Sequence, residues 1–382
     1  MSNPLLQGIR ILDLSRLLPG PFCSLYLAQL GAEVIKIEEP KGGDYARGLS
    51  PELFALVNRG KKSVTLDLRK PEGALAFRQL SAGADAVLES FRPGVMDRLG
   101  CGYDALRAQN PRLVYAALTG YGQDGPYRDR AGHDMNYCGY AGALDQIGPA
   151  GGPPVLPNTQ IADLAGGALT CAIGLLAALL GARASGHGTF VDAAMLDGTL
   201  ALQVLSQATL RTVGHPIPRG SDMLTGGLPN YSLYECADGR HIGVGALEPK
   251  FLQNLCASLG RPDLARLPAA PGAAGEPLRR ELAALFRTRT RDEWDTSLAE
   301  HDTCVGAVLT PDESLENAQV LARGLVRQAG GKPAVGHPVQ FGGAPLPEPS
   351  PAPRLGQHTA EVLAAAGCDP AQVERWRTAG IC

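Results

Sequence analysis

Residues 8–14, Gly-Ile-Arg-Ile-Leu-Asp-Leu, alternate apolar and polar positions, the period-two signature of a strand. A Pro-Gly-Pro turn at 19–21 follows, and Pro21 suits the first turn of a short apolar helix over 21–31. Residues 34–37 predict the next strand and, beyond a glycine-rich loop, residues 63–68 a third. Pro71-Glu72 opens a helix through residue 80, and residues 86–88 and 113–118 read as further strands. Strands alternating with helices predict an α/β fold with a mostly parallel sheet covered on both faces, so residues 1–120 read as a Rossmann-type unit.

The pattern then changes. Residues 145–160 are rich in Gly and Pro and lack periodicity. Residues 164–182 carry no charge, a length that could span a bilayer. They are mostly Ala and Gly with Thr170 and Cys171, and Asp163 precedes them, which predicts a buried Ala-rich helix instead. Runs at 232–236 and 241–244 flank Asp238-Gly239 and predict a hairpin. Helical patterns continue to about 325. The expected organisation is a large Rossmann-like domain over 1–195, a linker at 196–224, a smaller α+β domain at 225–325, and a C-terminal segment, 326–382, returning to the large domain. Within it, the proline-rich stretch 345–353 is expected to be extended and polyproline-like.

A chain of 382 residues is too long for one ordinary core, which agrees with two domains. Its net charge of −3 argues against a nucleic-acid partner held by a basic surface. The nine cysteines are odd in number and never spaced as C-x-x-C, so neither a disulfide framework nor a zinc site is expected, and a reducing cytoplasm is the expected setting. Met1-Ser2-Asn3-Pro4 does not read as a secretory leader, and the last four residues read as neither a prenylation box nor a peroxisomal address.

Gly120-Tyr-Gly122-Gln-Asp-Gly125 matches a dinucleotide fingerprint literally, but Pro126 and a charged run follow where an apolar helix is required. His133-Asp134 lies in a polar loop after the first sheet and is open to a structural or a catalytic reading. Asp163 is the single charge within 154–182. It can cap the helix that follows, and a carboxylate entering apolar surroundings also gains the raised proton affinity that acid–base work near neutrality requires. Glu248, after an apolar strand, reads on its own as a helix-start residue. Lys36, Arg59, Lys61, Lys62, Arg69, Arg92 and Arg98 scatter near predicted strand ends, either as solvated charges or as a site for a charged diphosphate ligand.

Five segments together carry a resemblance: Gly31-Ala-Glu-Val-Ile-Lys-Ile-Glu-Glu-Pro40, Asn58-Arg-Gly-Lys-Lys-Ser-Val-Thr-Leu-Asp-Leu68, Phe91-Arg-Pro-Gly-Val95, Asp192-Ala-Ala-Met-Leu-Asp-Gly198 and Leu355-Gly-Gln-His-Thr-Ala-Glu-Val-Leu363. In this order the chain resembles the class III, CaiB/BaiF-type, CoA-transferase superfamily. The transferases of that family use one Asp, matched here by Asp163, to form acyl anhydrides. Its racemase branch, acting on 2-methylacyl-CoA thioesters, adds a His in a Gly-His-Asp-Ile/Met-Asn-Tyr motif, matched by Gly132 to Tyr137.

The resemblance implies two bases, His133 for the S epimer and Asp163 for the R epimer, with the Asp134 backbone N–H at the enolate oxygen. Glu248 would orient His133 across the interface of an interlocked homodimer. CoA would contact Leu66, Asp67, Leu68 and Arg69 around its adenine, then Ser90, Phe91, Arg92 and Arg98, with Gly132 and Tyr137 at the thioester. Met223 and Leu224 would line the acyl chain. No metal or redox cofactor is implied, CoA entering as part of the acyl-CoA substrate, and no membrane or nucleic-acid partner. Two departures stand out: Glu39 occupies a place where racemases can carry a phosphate-binding Arg, which shifts that contact to Lys36 or Lys41, and Thr159 replaces an Asn that supports the His, with Asn158 shifted by one. The competing readings are a CoA-transferase, with Asp163 as nucleophile and His133 idle, and a non-enzymatic CoA-binding protein.

Overall fold

A computed structural model describes residues 5–329, 331–342, 346 and 349–382. The N-terminal tetrapeptide and part of the predicted polyproline-like stretch lie outside the described residues. Two compact units form, one from residues 1–143, 158–203 and 322–382, the other from 144–157 and 204–321. Residues 144–157 thus cluster with the second unit, although hydropathy alone leaves them in the first.

Six parallel strands make the first unit's sheet: β1 (Arg10–Asp13), β2 (Glu33–Glu38), β3 (Lys62–Thr65), β4 (Ala86–Glu89), β5 (Val114–Thr119) and β6 (Phe190–Ala194). Their order, β3-β2-β1-β4-β5-β6, reverses direction between β1 and β4. In such a doubly wound sheet ligands bind in the crevice beyond the carboxyl ends at that reversal. β4 and β5 are buried at every position, as a strand covered on both faces must be. Ile35, Val64, Phe77, Val87 and Tyr115 belong to this core. The C-terminal segment joins it through Val362, Leu363, Val373 and Trp376. It is tied to the β3 edge by hydrogen bonds from the Ser63 and Thr65 N–H groups to His358 Nδ1 and Thr359 Oγ1. The second unit pairs β7 (Tyr231–Glu235) with β8 (His241–Gly245) around the predicted turn, where Gly239 takes φ +74°. A third strand, β9 (Val305–Ala307), joins β8, an addition too short to register as a pattern.

The apolar segment at 162–185 departs from expectation twice. It opens as a π-helix, Ala162–Leu169, before becoming the α-helix Thr170–Ser185, here α1. And α1 is buried on one side only: Cys171, Leu175 and Leu179 face inward, while Ile173 and Leu180 are 69% and 68% exposed. By length and composition the run Ala162–Ser185 is apolar enough to cross a membrane. Its π-helical start packs against α2 (Met195–Ala201), where a Cβ on Gly198 would stand 1.8 Å from the Gly166 carbonyl oxygen. That backbone-to-backbone approach accounts for the glycine ending the Asp192–Gly198 segment.

Candidate active site

The loop after β5 leads into the helix Asp134–Tyr140, with His133 as its N-cap. The Asn136 side chain accepts the His133 N–H at 3.0 Å, fixing the loop's entry into the helix. Tyr137 donates its hydroxyl to the Gly132 carbonyl at 2.6 Å. Its ring covers Gly120 and Gly132 so closely that a Cβ at either would lie within 2.7 Å of a ring carbon. The dinucleotide-like glycines are thereby explained without a nucleotide: Gly120 makes room for Tyr137, while Gly122 and Gly125 turn the chain at φ +85° and +78°. Tyr121 packs edge-on against Tyr137, and Tyr127 and Tyr140 pack against Tyr121 and each other, an aromatic wall that no local pattern signalled.

Asp134 joins the two catalytic candidates. Its carboxylate accepts the N–H groups of Ala162 and Asp163 at 2.7 and 3.0 Å, and so caps the π-helix from a distant part of the chain. Asp163 is therefore not the N-cap expected of it: it sits within the first turn, where Asp134 frees its side chain from capping. His133 and Asp163 stand at two adjoining helix N-termini. The ring of His133 is exposed and the carboxyl of Asp163 half-buried. Burial, reinforced by the Asp134 carboxylate, pushes the Asp163 carboxyl up to about 7. The Asp134 N–H, at the first position of its helix, has no intrahelical carbonyl to bond and carries the positive end of the helix dipole. Asn158 and Thr159 are exposed, and among the described residues neither bonds His133.

A crevice of about 290 Å³ opens at the carboxyl ends of β1 to β4. Five sequence candidates, Leu66, Asp67, Leu68, Arg69 and Phe91, line it. Ser90 stands beside it and accepts the Arg16 N–H at 3.3 Å. Arg92 and Arg98 are exposed on the following loop and helix and do not line it. Arg69 is spanned by Asp67 and Glu39 at 2.8 and 2.6 Å. Beneath the crevice, burial pushes the Glu89 carboxyl up to about 8, with Asp97 and Asp192 adding repulsion. Glu89 accepts the Phe91 N–H at 2.6 Å and so fixes the start of that loop.

Three of the seven scattered cations, Lys36, Arg59 and Lys61, prove internal. Lys36 is fully buried, bonded to the Ser15 carbonyl at 2.8 Å and Asp44 at 2.9 Å. It cannot supply the ligand-phosphate contact expected of it, because withdrawing it would strand a buried carboxylate at about 3–5 kcal/mol. Lys61 is equally buried, on Asp13, Asn58 and the Pro21 carbonyl. Burial alone would raise the Asp13 carboxyl, but Lys61, Lys36 and the hydroxyls of Ser15 and Ser24 outweigh it and hold Asp13 at about 2. Arg59 bonds the Val335 carbonyl, and Lys62 pairs with Glu33 and Glu361.

This network shapes the loop after β1. Leu17 has φ +63°, which costs a branched L-residue roughly 1–2 kcal/mol. Its N–H is held by the Asp44 carboxylate at 2.9 Å, a charged hydrogen bond worth about 1.5–3 kcal/mol, enough to offset the strain. The neighbouring Arg16 lines the crevice, and sequence reading missed it because nothing local separates it from a solvated arginine.

Glu248, Met223 and Leu224 belong to the second unit. Glu248 is the exposed N-cap of the helix Pro249–Ser258. Met223 is exposed, and Leu224 partly so, in a turn capped by the Asp222 carboxylate. Among the described residues no three His, Cys, Asp or Glu side chains gather as a metal-binding group.

Comparison with known proteins adds a family frame. The model of CoA-transferase family III matches residues 6–359. Human alpha-methylacyl-CoA racemase is 38% identical over 365 residues, covering 94% of this chain and 92% of the human protein. The succinate–glutarate CoA-transferase of Agrobacterium fabrum is 34% identical over 389 residues, covering 95% and 96%. A solved CAIB/BAIF family protein from Brucella suis superposes with a TM-score of 0.84 at 30% identity, over 96% of this chain and all of that one.

Proposed function

The chain belongs to CoA-transferase family III, and from that premise we propose that it racemises 2-methylacyl-CoA thioesters by a two-base proton transfer at the 2-carbon. The observation that carries this reading is the Asp134 bridge, which sets a histidine and a high-affinity carboxyl at neighbouring helix starts. Inversion removes a proton from one face of the carbon and returns one to the other, so two groups must flank it. With its carboxyl near 7, Asp163 is present as both acid and base at neutral pH. His133 takes the proton of the S epimer and protonated Asp163 returns one on the opposite face; the reverse direction exchanges the roles. The enolate oxygen between these steps receives the Asp134 N–H. Proton and charge balance within this set, so the reaction asks for no electron acceptor.

Glu248 from a second copy of the chain would orient His133 and raise its basicity, in a cytoplasmic homodimer. The acyl chain would lie against Met223 and Leu224.

A second reading has its own support: the relatives at 34% identity include a CoA-transferase, whose chemistry needs only Asp163. One incubation separates the two. With a single 2-methylacyl-CoA epimer and no acceptor acid, racemisation yields both epimers, and hydroxylamine leaves Asp163 unmodified. In the transferase, Asp163 attacks the thioester and releases CoA, so hydroxylamine traps an Asp163 anhydride from the acyl-CoA alone, and an added carboxylic acid is needed only to carry the CoA away as a new thioester. That second outcome would displace the racemase reading.

A further inference from the structure

Two cations line the crevice at the carboxyl ends of β1 to β4, and they are held differently. Arg69 is neutralised by Asp67 and Glu39. Arg16 has no carboxylate partner among the described residues. Its guanidinium lies between the rings of Tyr45 and Phe91, 5.0 and 4.9 Å from their centroids, and donates to the Tyr45 hydroxyl at 3.0 Å. An aromatic clamp orients a guanidinium without cancelling its charge and leaves its remaining donors for an anion. The backbone supports the same placement: the Arg16 N–H bonds Ser90 on the loop after β4, and Leu17, beside it, is kept in the left-handed region by Asp44. Arg16 thus spans the β1–β4 reversal of the sheet, where an open α/β sheet receives its ligand.

We propose that Arg16, held by Tyr45 and Phe91, is this chain's anchor for a phosphate of the bound thioester's nucleotide end. It fills a role that Glu39 has the wrong charge for, that buried Lys36 cannot reach, and that Lys41, exposed and outside the crevice lining, does not take. The inference rests on the ligand being a CoA thioester. It makes Arg16 a specificity residue, separating CoA thioesters from those of pantetheine, and gives it no part in the proton transfer.

The test measures equilibrium binding of CoA, dephospho-CoA and pantetheine to the full chain, with Arg16→Gln and Arg16→Lys beside the parent. Loss of a charge-assisted contact predicts that Arg16→Gln weakens CoA at least tenfold, flattens the salt dependence of its affinity and leaves pantetheine unchanged. Arg16→Lys, which keeps the charge but not the planar clamp, falls between. An equal loss for CoA and dephospho-CoA assigns the contact to the diphosphate; a loss confined to CoA assigns it to the ribose 3′-phosphate. CoA binding by Arg16→Gln within twofold of the parent overturns the proposal, as does an equal loss for pantetheine. A parent that binds no CoA overturns it too. Because binding is read without turnover, an enzyme that inverts no thioester yet shows the Arg16 dependence refutes the racemase reading and keeps this one. Should the Gln variant not fold, the Lys variant and the parent's own preference for CoA over pantetheine decide the question.

Discussion

Asp163 binds a proton far more readily than a solvated aspartate, because burial withholds water from its charge and Asp134 repels it. That affinity has a cost in stability. A carboxyl raised from 3.8 to about 7 contributes its stability fully below about 4 and loses it as pH rises to about 7, since the folded state keeps a proton that the unfolded chain has released. Asp163→Asn, neutral throughout, is therefore expected to match the parent near pH 4 and to exceed it at pH 8, by about 1–3 kcal/mol after allowing for partial exposure. Thermal or urea unfolding of both proteins at the two pH values checks this, and a gap that does not widen with pH would remove the raised carboxyl from the account. At this scale the sequence marked Asp163 correctly as the odd charge in an apolar run. It could not show that Asp134, 29 residues away, would cap its helix, because a long-range hydrogen bond leaves no local pattern. Lys36 misled for the same reason: a buried lysine and a phosphate-binding lysine look alike until the neighbouring carboxylate is placed.

Five of the six strands of the parallel sheet were legible, β4 and β5 as buried apolar runs bounded by turns; β6, which carries Asp192 and is buried only at its end, was not. The π-helical start of the apolar segment was not, since its composition is that of an ordinary α-helix. Its geometry depends on contact with α2. Gly166 and Gly198 let two backbones meet, and π-helical turns of this kind are frequent at functional sites. Gly198→Ala places a Cβ 1.8 Å from the Gly166 carbonyl, so one helix must move. The expected result is a loss of about 1–3 kcal/mol or more in unfolding free energy, together with a fall in kcat, because the displaced helix carries Asp163. Gly181→Ala, where a Cβ meets nothing within 4 Å inside the helix Thr170–Ser185, serves as the control: it should leave kcat near the parent's value and raise stability by about 0.4–1 kcal/mol. Full activity in Gly198→Ala would show that this crossing does not set the site.

For the molecule as a whole, the first unit presents apolar side chains at Ile173, Leu180, Leu200 and Leu202, each between 49% and 69% exposed. The expected homodimer would cover such surface, and light scattering on purified protein should report a particle of two chains at micromolar concentration; a monomer would leave Glu248 of a second copy with no role at His133. Length and the change of pattern after β5 led to an expectation of two domains. The assignment of 144–157 to the second unit did not follow from them, because a Gly- and Pro-rich stretch has no periodicity to show what it packs against.

The central claim is that an imidazole and a carboxyl act from opposite faces on one carbon. It is tested most directly by following the 2-proton of an S-2-methylacyl-CoA in deuterated water, without acceptor acid, in the parent and in His133→Ala. The account predicts that the parent installs one deuterium at the 2-carbon while both epimers appear, and that His133→Ala slows this by about 10²–10⁴-fold. Exchange that survives undiminished in His133→Ala, or a parent that exchanges nothing, would contradict it.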